Sequence, residues 1–367
     1  MRVLLAPDKF KGSLSAVQVA ASLRRGIESS WPGVQVREMP VADGGDGTLD
    51  VLEAAGFTRV AVDSFGPRAE PVRTSYVRGG TVAVVELAEI CGVQRLGPVR
   101  DPMGASTYGL GDVIGQAVDA GAQTVVVGVG GSASTDGGAG LLQALGARLD
   151  DPSGADLYLG GGALLHLDSV DLSQLHRGLA GVDLVLAADV DTELLGPDGA
   201  AAVFAPQKGA DAEQVRRLDY GLGVLARAVA DQVGRDDSER PASGAAGGAG
   251  FGLLTLGARY VPGAELVLDL LGFDAALAES DLVVTGEGSL DRQSLAGKAP
   301  VTVARRAAAR GVRVAAVVGR CDLSRAELAS AGVDQVYPLT DLEPEEARCV
   351  ANAAELVERQ GRWLMTA

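Results

Sequence analysis

Between Gly128 and Gly146 the chain reads GVGGSASTDGGAGLLQALG, and no other stretch limits its local architecture as tightly. Thr124 to Val127, just upstream, is a β-branched apolar run of the kind that forms a buried strand. Leu141, Leu142 and Leu145, just downstream, fall at helical spacing. Between strand and helix, Gly130, Gly131, Gly137 and Gly138 leave backbone N–H groups uncovered, and the helix points its positive end back at the turn. An anion suits such a turn. Asp136 sits in it as well, and a bare carboxylate repels a phosphate unless a cation lies between them. The pairing predicts a phosphate carried with magnesium.

A chain of 367 residues is long enough for two domains. Hydrophobic residues make up 47% but aromatics only 4%, with 51 glycines, so the core is built from Ala, Val and Leu with many tight turns, an α/β composition. Lys plus Arg number 32 against 48 Asp plus Glu, a net charge of −16, which argues against nucleic-acid or acidic-membrane partners. Any anionic ligand must be caught locally. Cys91, Cys321 and Cys349 lie far apart without a CxxC pair and read as reduced thiols of a cytoplasmic protein. His166 and His176, the only histidines, have no acid or nucleophile beside them, which disfavours a Ser-His-Asp hydrolase or a histidine-bound zinc. The N-terminal apolar run is too short for a signal peptide, and no run reaches membrane-spanning length.

Strand and helix alternate at both ends of the chain. Val3 to Ala6 predicts a first parallel strand, followed by the loop Asp8 to Ser13. Ser15 and Gln18 form a capping box for a helix lined by Val19, Leu23 and Ile27. A second strand over Val34 to Val41 leads into Asp43-Gly-Gly-Asp-Gly-Thr48 and a further helix. From Asp63 the pattern shifts to shorter strands and turns, with a strand over Thr81 to Leu87 and a helix over Tyr108 to Ala120. Val182 to Ala188 predicts a buried strand that delivers Asp189 and Asp191 at its end. Asp211 and Gln214 cap a helix running to Val233, Arg235 to Pro241 reads as a surface loop, and Gly244 to Gly252 as too glycine-rich for a helix. Alternation resumes with strands at Asp281 to Thr285, Val312 to Val318 and Val333 to Leu339. The expected fold class is α/β, a doubly wound parallel-sheet domain over 1–62 and 281–367, split by an inserted second α/β domain over 63–280.

Ligands of open parallel sheets bind outside the carboxyl ends of the strands. Those ends carry Asp8, Lys9 and Lys11, then Asp43 and Asp46, then Glu287, Asp291 and Lys298, and the inserted domain adds Ser132, Asp136, Asp189, Asp191 and Lys208. Acids that hold magnesium and take a hydroxyl proton, cations that offset phosphate charge, and glycines that admit a nucleotide are what phosphoryl transfer needs. A dinucleotide fingerprint, Gly128-x-Gly130-x-x-Ala133 with Asp150 downstream, also matches, but it wants a hydrophobic strand ending at that acid, and Ala147 to Asp151 is short and polar. A Walker motif fails because position 292 is Arg.

Asp8-Lys-Phe-Lys-Gly-Ser13, Asp43-Gly-Gly-Asp-Gly-Thr48, Gly130-Gly-Ser-Ala-Ser-Thr-Asp-Gly-Gly138, Phe204-Ala-Pro-Gln-Lys-Gly-Ala210, Gly244-Ala-Ala-Gly-Gly248 and Gly286-Glu-Gly-Ser-Leu-Asp-Arg-Gln293 span nearly the whole chain. Together, in this order, they resemble the bacterial glycerate kinase family of the glycerate 2-kinase type. The resemblance implies phosphorylation of D-glycerate by ATP with Mg2+, usually giving 2-phospho-D-glycerate and ADP. It also implies a flavodoxin-like domain interrupted by a second α/β domain, with the active site in the cleft. The chain departs from the family at Thr135, commonly Asn, and at Asp189-Val-Asp-Thr192, commonly Asp-Val-x-Asn.

On that reading Gly130, Gly131, Ser132, Asp136, Gly137, Lys208 and Lys298 bind the nucleotide phosphates, and Asp189, Lys9, Lys11 and Asp291 form the catalytic set. Asp189 is the first choice as proton acceptor because it ends a buried strand and would be partly desolvated. Asp8, Ser13, Asp43, Gly44 and Arg320 are expected to bind glycerate, and Asp46, Asp191 and Glu287 to hold the metal. The expected partners are small molecules only, and a homodimer stays open. Two other classes also stay open at this point: an NAD-dependent hydroxy-acid dehydrogenase and a non-catalytic anion-binding protein. The second is opposed by the many carboxylates at strand ends.

Overall fold

The computed structural model describes residues 1–364, which fall into two compact units. The first comprises Met1–Asp43, Asp50–Gly56 and the chain from Pro262 onward; the second comprises Gly44–Leu49 and Phe57–Val261. Both boundaries depart from the sequence reading at 62 and 280. Thr58–Phe65 pairs antiparallel with Pro71–Gly79 and so stays whole within the second unit. Ala264, Leu268, Phe273, Ala276 and Leu277 form apolar helix faces that share a core with Leu4 and Val283, which places 262–280 in the first unit.

The first unit is built on a five-stranded sheet in the order Gln335–Pro338, Arg313–Val318, Leu282–Gly286, Arg2–Pro7, Gln35–Glu38. Every neighbouring pair is parallel. Numbered along the chain this is the flavodoxin-like order 2-1-3-4-5, whose topological switch point lies between Arg2–Pro7 and Leu282–Gly286. Side chains alternate across the sheet as strand geometry requires. Val3, Leu5, Leu282 and Val284 pack with Val19, Leu23 and Ile27 of helix Ala16–Ser30 and with Leu356 and Val357 of helix Ala353–Trp363. Leu4, Ala6 and Val283 pack on the other face against Val303, Ala304 and Ala307 of helix Ala299–Ala309. Strands buried on both faces explain the continuous apolar runs seen in the sequence.

The second unit carries a six-stranded sheet in the order Arg259–Pro262, Asp183–Ala188, Thr124–Gly128, Val82–Glu86, Pro71–Gly79, Thr58–Phe65. The central strands Val82–Glu86, Thr124–Gly128 and Asp183–Ala188 pair in parallel, and the hairpin Thr58–Phe65 with Pro71–Gly79 is antiparallel. These eight- and nine-residue strands replace the short strands expected after Asp63, because their exposed positions, and the polar Thr74 and Ser75 within the buried part of Pro71–Gly79, leave no continuous apolar run to read.

Two further expectations change. Ala245–Thr255 is assigned as helical, but Ala246, Gly247 and Gly248 are left-handed, with φ of 56, 73 and 91°, so a turn precedes the helix proper. Glycine is needed within that helix for contact rather than flexibility: a Cβ on Gly252 would stand 3.0 Å from Gly138 Cα, and one on Gly250 would strike the Ala242 carbonyl. The segment Arg235–Pro241 is not wholly a surface loop, since Asp237 is 2% exposed and accepts from Arg235 Nε at 2.9 Å and from Arg240 at 3.1 Å.

Candidate active site

In the first unit, strand ends bring three acids together. Arg2–Pro7 delivers Asp8 and Leu282–Gly286 delivers Glu287, each one residue beyond the register pair Pro7 and Gly286, so the two flank the switch point. Asp8 N–H donates to the Gly286 carbonyl at 2.8 Å, which fixes the start of its loop beside Glu287. Asp8 is 5% exposed and its pKa is raised to about 7, first by burial and then by the charge of Asp43; Lys9 pulls it back through its charge and its N–H. Glu287, 7% exposed, is likewise raised to about 7 by burial, partly offset by a Ser294 hydrogen bond and by Lys298. Its Oε1 is buried without a hydrogen-bond partner. A carboxylate in that state fits a cation that would satisfy it.

In the second unit, the glycine-rich turn is held by its own carboxylate. Asp136 is fully buried, and its Oδ2 accepts from Thr107 N–H at 2.8 Å, Thr107 Oγ1 at 2.9 Å, Ser106 Oγ at 3.3 Å and Gly140 N–H at 3.3 Å. Its Oδ1 accepts from Gly138 N–H at 3.2 Å. Burial raises its pKa and these donors oppose the rise. The following helix, Ala139–Ala144, has only six residues, and its first-turn donors are used by Asp136 and by Thr107, whose Oγ1 accepts from Leu141 N–H at 3.0 Å. The inference of a magnesium-bridged phosphate at Asp136 is therefore corrected: this side chain faces the loop interior and stands where the anion was expected. Thr135 Oγ1, at the departing family position, is buried without a partner.

Lys208 is also an internal residue. It is 3% exposed, donates from Nζ to the Ser134 carbonyl, and has its pKa lowered to about 7 by burial, against the attraction of Asp136. Ser132 Oγ donates to the Ala246 carbonyl at 3.0 Å, and Gly137 N–H to the Gly247 carbonyl at 3.1 Å, so the turn is braced by the left-handed segment. Gly130 and Gly131 remain at the turn's accessible edge.

A second glycine loop lies against that edge. A Cβ on Gly130 would stand 2.7 Å from Gly45 Cα, and one on Gly128 would strike the Gly44 carbonyl. The Gly44–Leu49 loop is anchored by Glu86, which pairs with Gly128 at the end of its strand. Its Oε1 accepts from Gly47 N–H and its Oε2 from Leu49 N–H, both at 3.1 Å. Glu86 is 1% exposed, and burial raises its pKa to about 7 against those two N–H groups. Sequence reasoning misses Glu86, and the signal available is a carboxylate closing the apolar run VAVVE. Ser106 and Thr107 show in the sequence only as a helix start.

The other expected residues are more exposed. Asp189 and Asp191 are exposed after their strand, and both raise the pKa of Tyr260, whose largest perturbation is burial. Asp189 is thus more exposed than its place at the end of a buried strand suggested. Asp46 is exposed beside Glu86, Asp43 and Lys9 are partly buried, and Lys11 is exposed. Ser13 Oγ donates to the Val350 carbonyl at 2.9 Å. Asp291 accepts from Gln293 N–H at 2.8 Å in a local turn, Lys298 precedes helix Ala299–Ala309, and the exposed Arg320 donates from Nε to Ser289 Oγ at 3.0 Å. Among the described residues no three His, Cys, Asp or Glu side chains gather to hold a metal, so Asp46, Asp191 and Glu287 form no ready-made cage. Asp150 ends Arg148–Asp150, which pairs antiparallel with Ser169–Asp171 in a separate two-stranded sheet. A dinucleotide fingerprint needs its ribose-binding acid on the neighbouring parallel strand, so that match fails.

The chain matches the glycerate kinase family over residues 3–367. It is 41% identical to a glycerate kinase of Bacillus subtilis strain 168, over 99% of this chain and 96% of that one. Identity to a glycerate 2-kinase of Escherichia coli K12 is 37%, over 92% and 90% of the two chains. A crystal structure from Salmonella typhimurium LT2, assigned as glycerate kinase 2, aligns with a TM-score of 0.86 at 37% identity, over 99% of this chain and 97% of that one.

Proposed function

The chain belongs to the glycerate kinase family, and on that premise we propose that it transfers the γ-phosphoryl group of ATP to D-glycerate, giving ADP and 2-phospho-D-glycerate. The observation that supports this most is the acid group of the first unit, with Asp8 and Glu287 flanking the switch point and Asp43, Lys9 and Lys298 within electrostatic reach. Transfer breaks the bond from the γ-phosphorus to its bridging oxygen and forms one to the substrate oxygen, whose proton must be taken up. A base that titrates near the working pH does this best. Asp8 is that base in our reading, in place of the exposed Asp189. Lys9, Lys11 and Lys298 offset phosphoryl and substrate charge, and Arg320 is a second cation for the glycerate carboxylate.

The backbone at Gly130, Gly131 and Ser132 receives the nucleotide phosphates, while Asp136, Gly137 and Lys208 hold that turn in shape. Magnesium needs only one or two carboxylates beside waters and phosphates, so the partnerless Glu287 Oε1 suits it without a protein cage. When bound, the ion would neutralise charge on the transferring group. No helix among the described residues is long and apolar enough to cross a membrane, and Cys91, Cys321 and Cys349 are free thiols; a cytoplasmic enzyme of small-molecule substrates accords with both. Phosphorus NMR with ATP, Mg2+ and D-glycerate tests the reading. A new resonance split by one proton is expected, splitting by two would make it a 3-kinase, and an unchanged ATP spectrum from folded protein would overturn it.

A further inference from the structure

Glu86 is buried, belongs to neither acid set described above, and spends both carboxylate oxygens on one loop. Gly47 and Leu49 N–H groups lie on either side of Thr48, at the start of helix Thr48–Ala54, and each is bound by a different oxygen of the same side chain. Thr48 Oγ1 closes the turn by donating to the Gly45 carbonyl at 2.6 Å. Opposite, Gly128 and Gly130 admit the Gly44 and Gly45 backbone at distances no side chain would allow. Glu86 and Gly128 are register partners on adjacent parallel strands, so one strand end supplies the anchor and the next supplies the surface against which the loop rests.

We propose that Glu86 is a positioning residue for the kinase reaction, fixing the Gly44–Leu49 loop against Gly128–Gly130 so that the loop is preformed for glycerate. The proposal rests on the kinase reading above and on the expectation that Gly44, at the start of this loop, contacts glycerate. A helix start bound by a carboxylate from another strand cannot shift without leaving two N–H donors and a buried acid unsatisfied together. Glutamine accepts only one of the two bonds and turns its amide donors toward the other N–H.

The test is Glu86→Gln in the full chain, with KM measured separately for D-glycerate and for ATP against a calibrated folded fraction. We expect kcat/KM for glycerate to fall by about tenfold or more, the worth of a lost charge-assisted bond, while KM for ATP stays at the wild-type value. Loss shared equally by both substrates, or no loss, overturns the proposal. Should Glu86→Gln not fold, Glu86→Asp, which keeps the acid but withdraws it by one methylene, is read by the same split. Failure of both to fold makes Glu86 a folding residue and overturns it as well. Asp43→Asn, which leaves the clamp intact, tests the glycerate reading on its own: unchanged glycerate kinetics there would fault that reading and not the anchor.

Discussion

Asp8→Asn sets activity against stability. The Asp8 pKa is raised from the ordinary 3.8 to about 7, so the folded state binds its proton more tightly than the unfolded chain does. A group raised in this way contributes stability that is fully present below 3.8 and is lost as pH rises through about 7. At 1.36 kcal/mol per pH unit, ionised Asp8 costs the folded protein at most about 4 kcal/mol at pH 8. Asparagine carries no such charge and keeps an oxygen for the Lys9 N–H, which Asp8 Oδ1 accepts at 2.6 Å. The variant is therefore expected to match the wild type near pH 4, to gain on it as pH rises to about 7 and to hold that lead at pH 8, while kcat falls by about 10²-fold or more with the base gone. Both tryptophans, Trp31 and Trp363, belong to the first unit, so tryptophan fluorescence during urea unfolding reports on the unit that holds Asp8. A stability difference that is flat in pH, or a variant less stable than wild type at pH 8, would refute the argument.

Asp189→Asn should keep turnover within about threefold of wild type, since an exposed acid provides little of the activation expected of a base; a loss comparable to that of Asp8→Asn would return the role to Asp189. If Asp8 must be ionised to take the proton, kcat/KM should rise with pH through about 7 and flatten above it, and a profile flat between pH 5 and 8 would exclude Asp8 as the controlling group. Gly130→Ala should lower both activity and the thermal transition, because its Cβ would meet the Gly45 backbone at 2.7 Å and the loop must shift; circular dichroism melts beside initial rates would measure the two, and an unchanged melt would refute the close contact. Thr135→Val, which removes a buried hydroxyl with no partner, should leave stability unchanged or raise it by about 1 kcal/mol in urea titration.

Much of the first unit is legible because its strands are buried on both faces and its loops follow directly. Val3 to Ala6 and Asp281 to Thr285 stand out as apolar runs, and the capping boxes at Ser15 and Asp211 form with both reciprocal bonds. The acids at those strand ends are readable for the same reason. What cannot be read depends on pairing across long separations. Nothing near Glu86 in sequence shows that it meets Gly47 and Leu49, and nothing near Asp136 shows that Thr107 will turn it inward. Burial is equally hidden, since Lys208 and Asp189 look alike as polar residues in loops while one is enclosed and the other exposed. The hairpin from Thr58 to Gly79 escapes sequence reasoning because polar and charged residues are interspersed along both strands, so neither shows a continuous apolar run.

Asp136 amounts to a tethered ligand. The donors gathered around it, two hydroxyls and three amides, form a receptor for a small anion, and the chain provides that anion covalently. Shortening the residue to alanine would strip those donors of the anion that holds the turn together, and formate or acetate bound among them is expected to restore part of what the mutation removed. A glycine-rich turn ahead of a helix therefore advertises an appetite for negative charge without saying whose charge fills it, and an aspartate within the turn is the first occupant to consider.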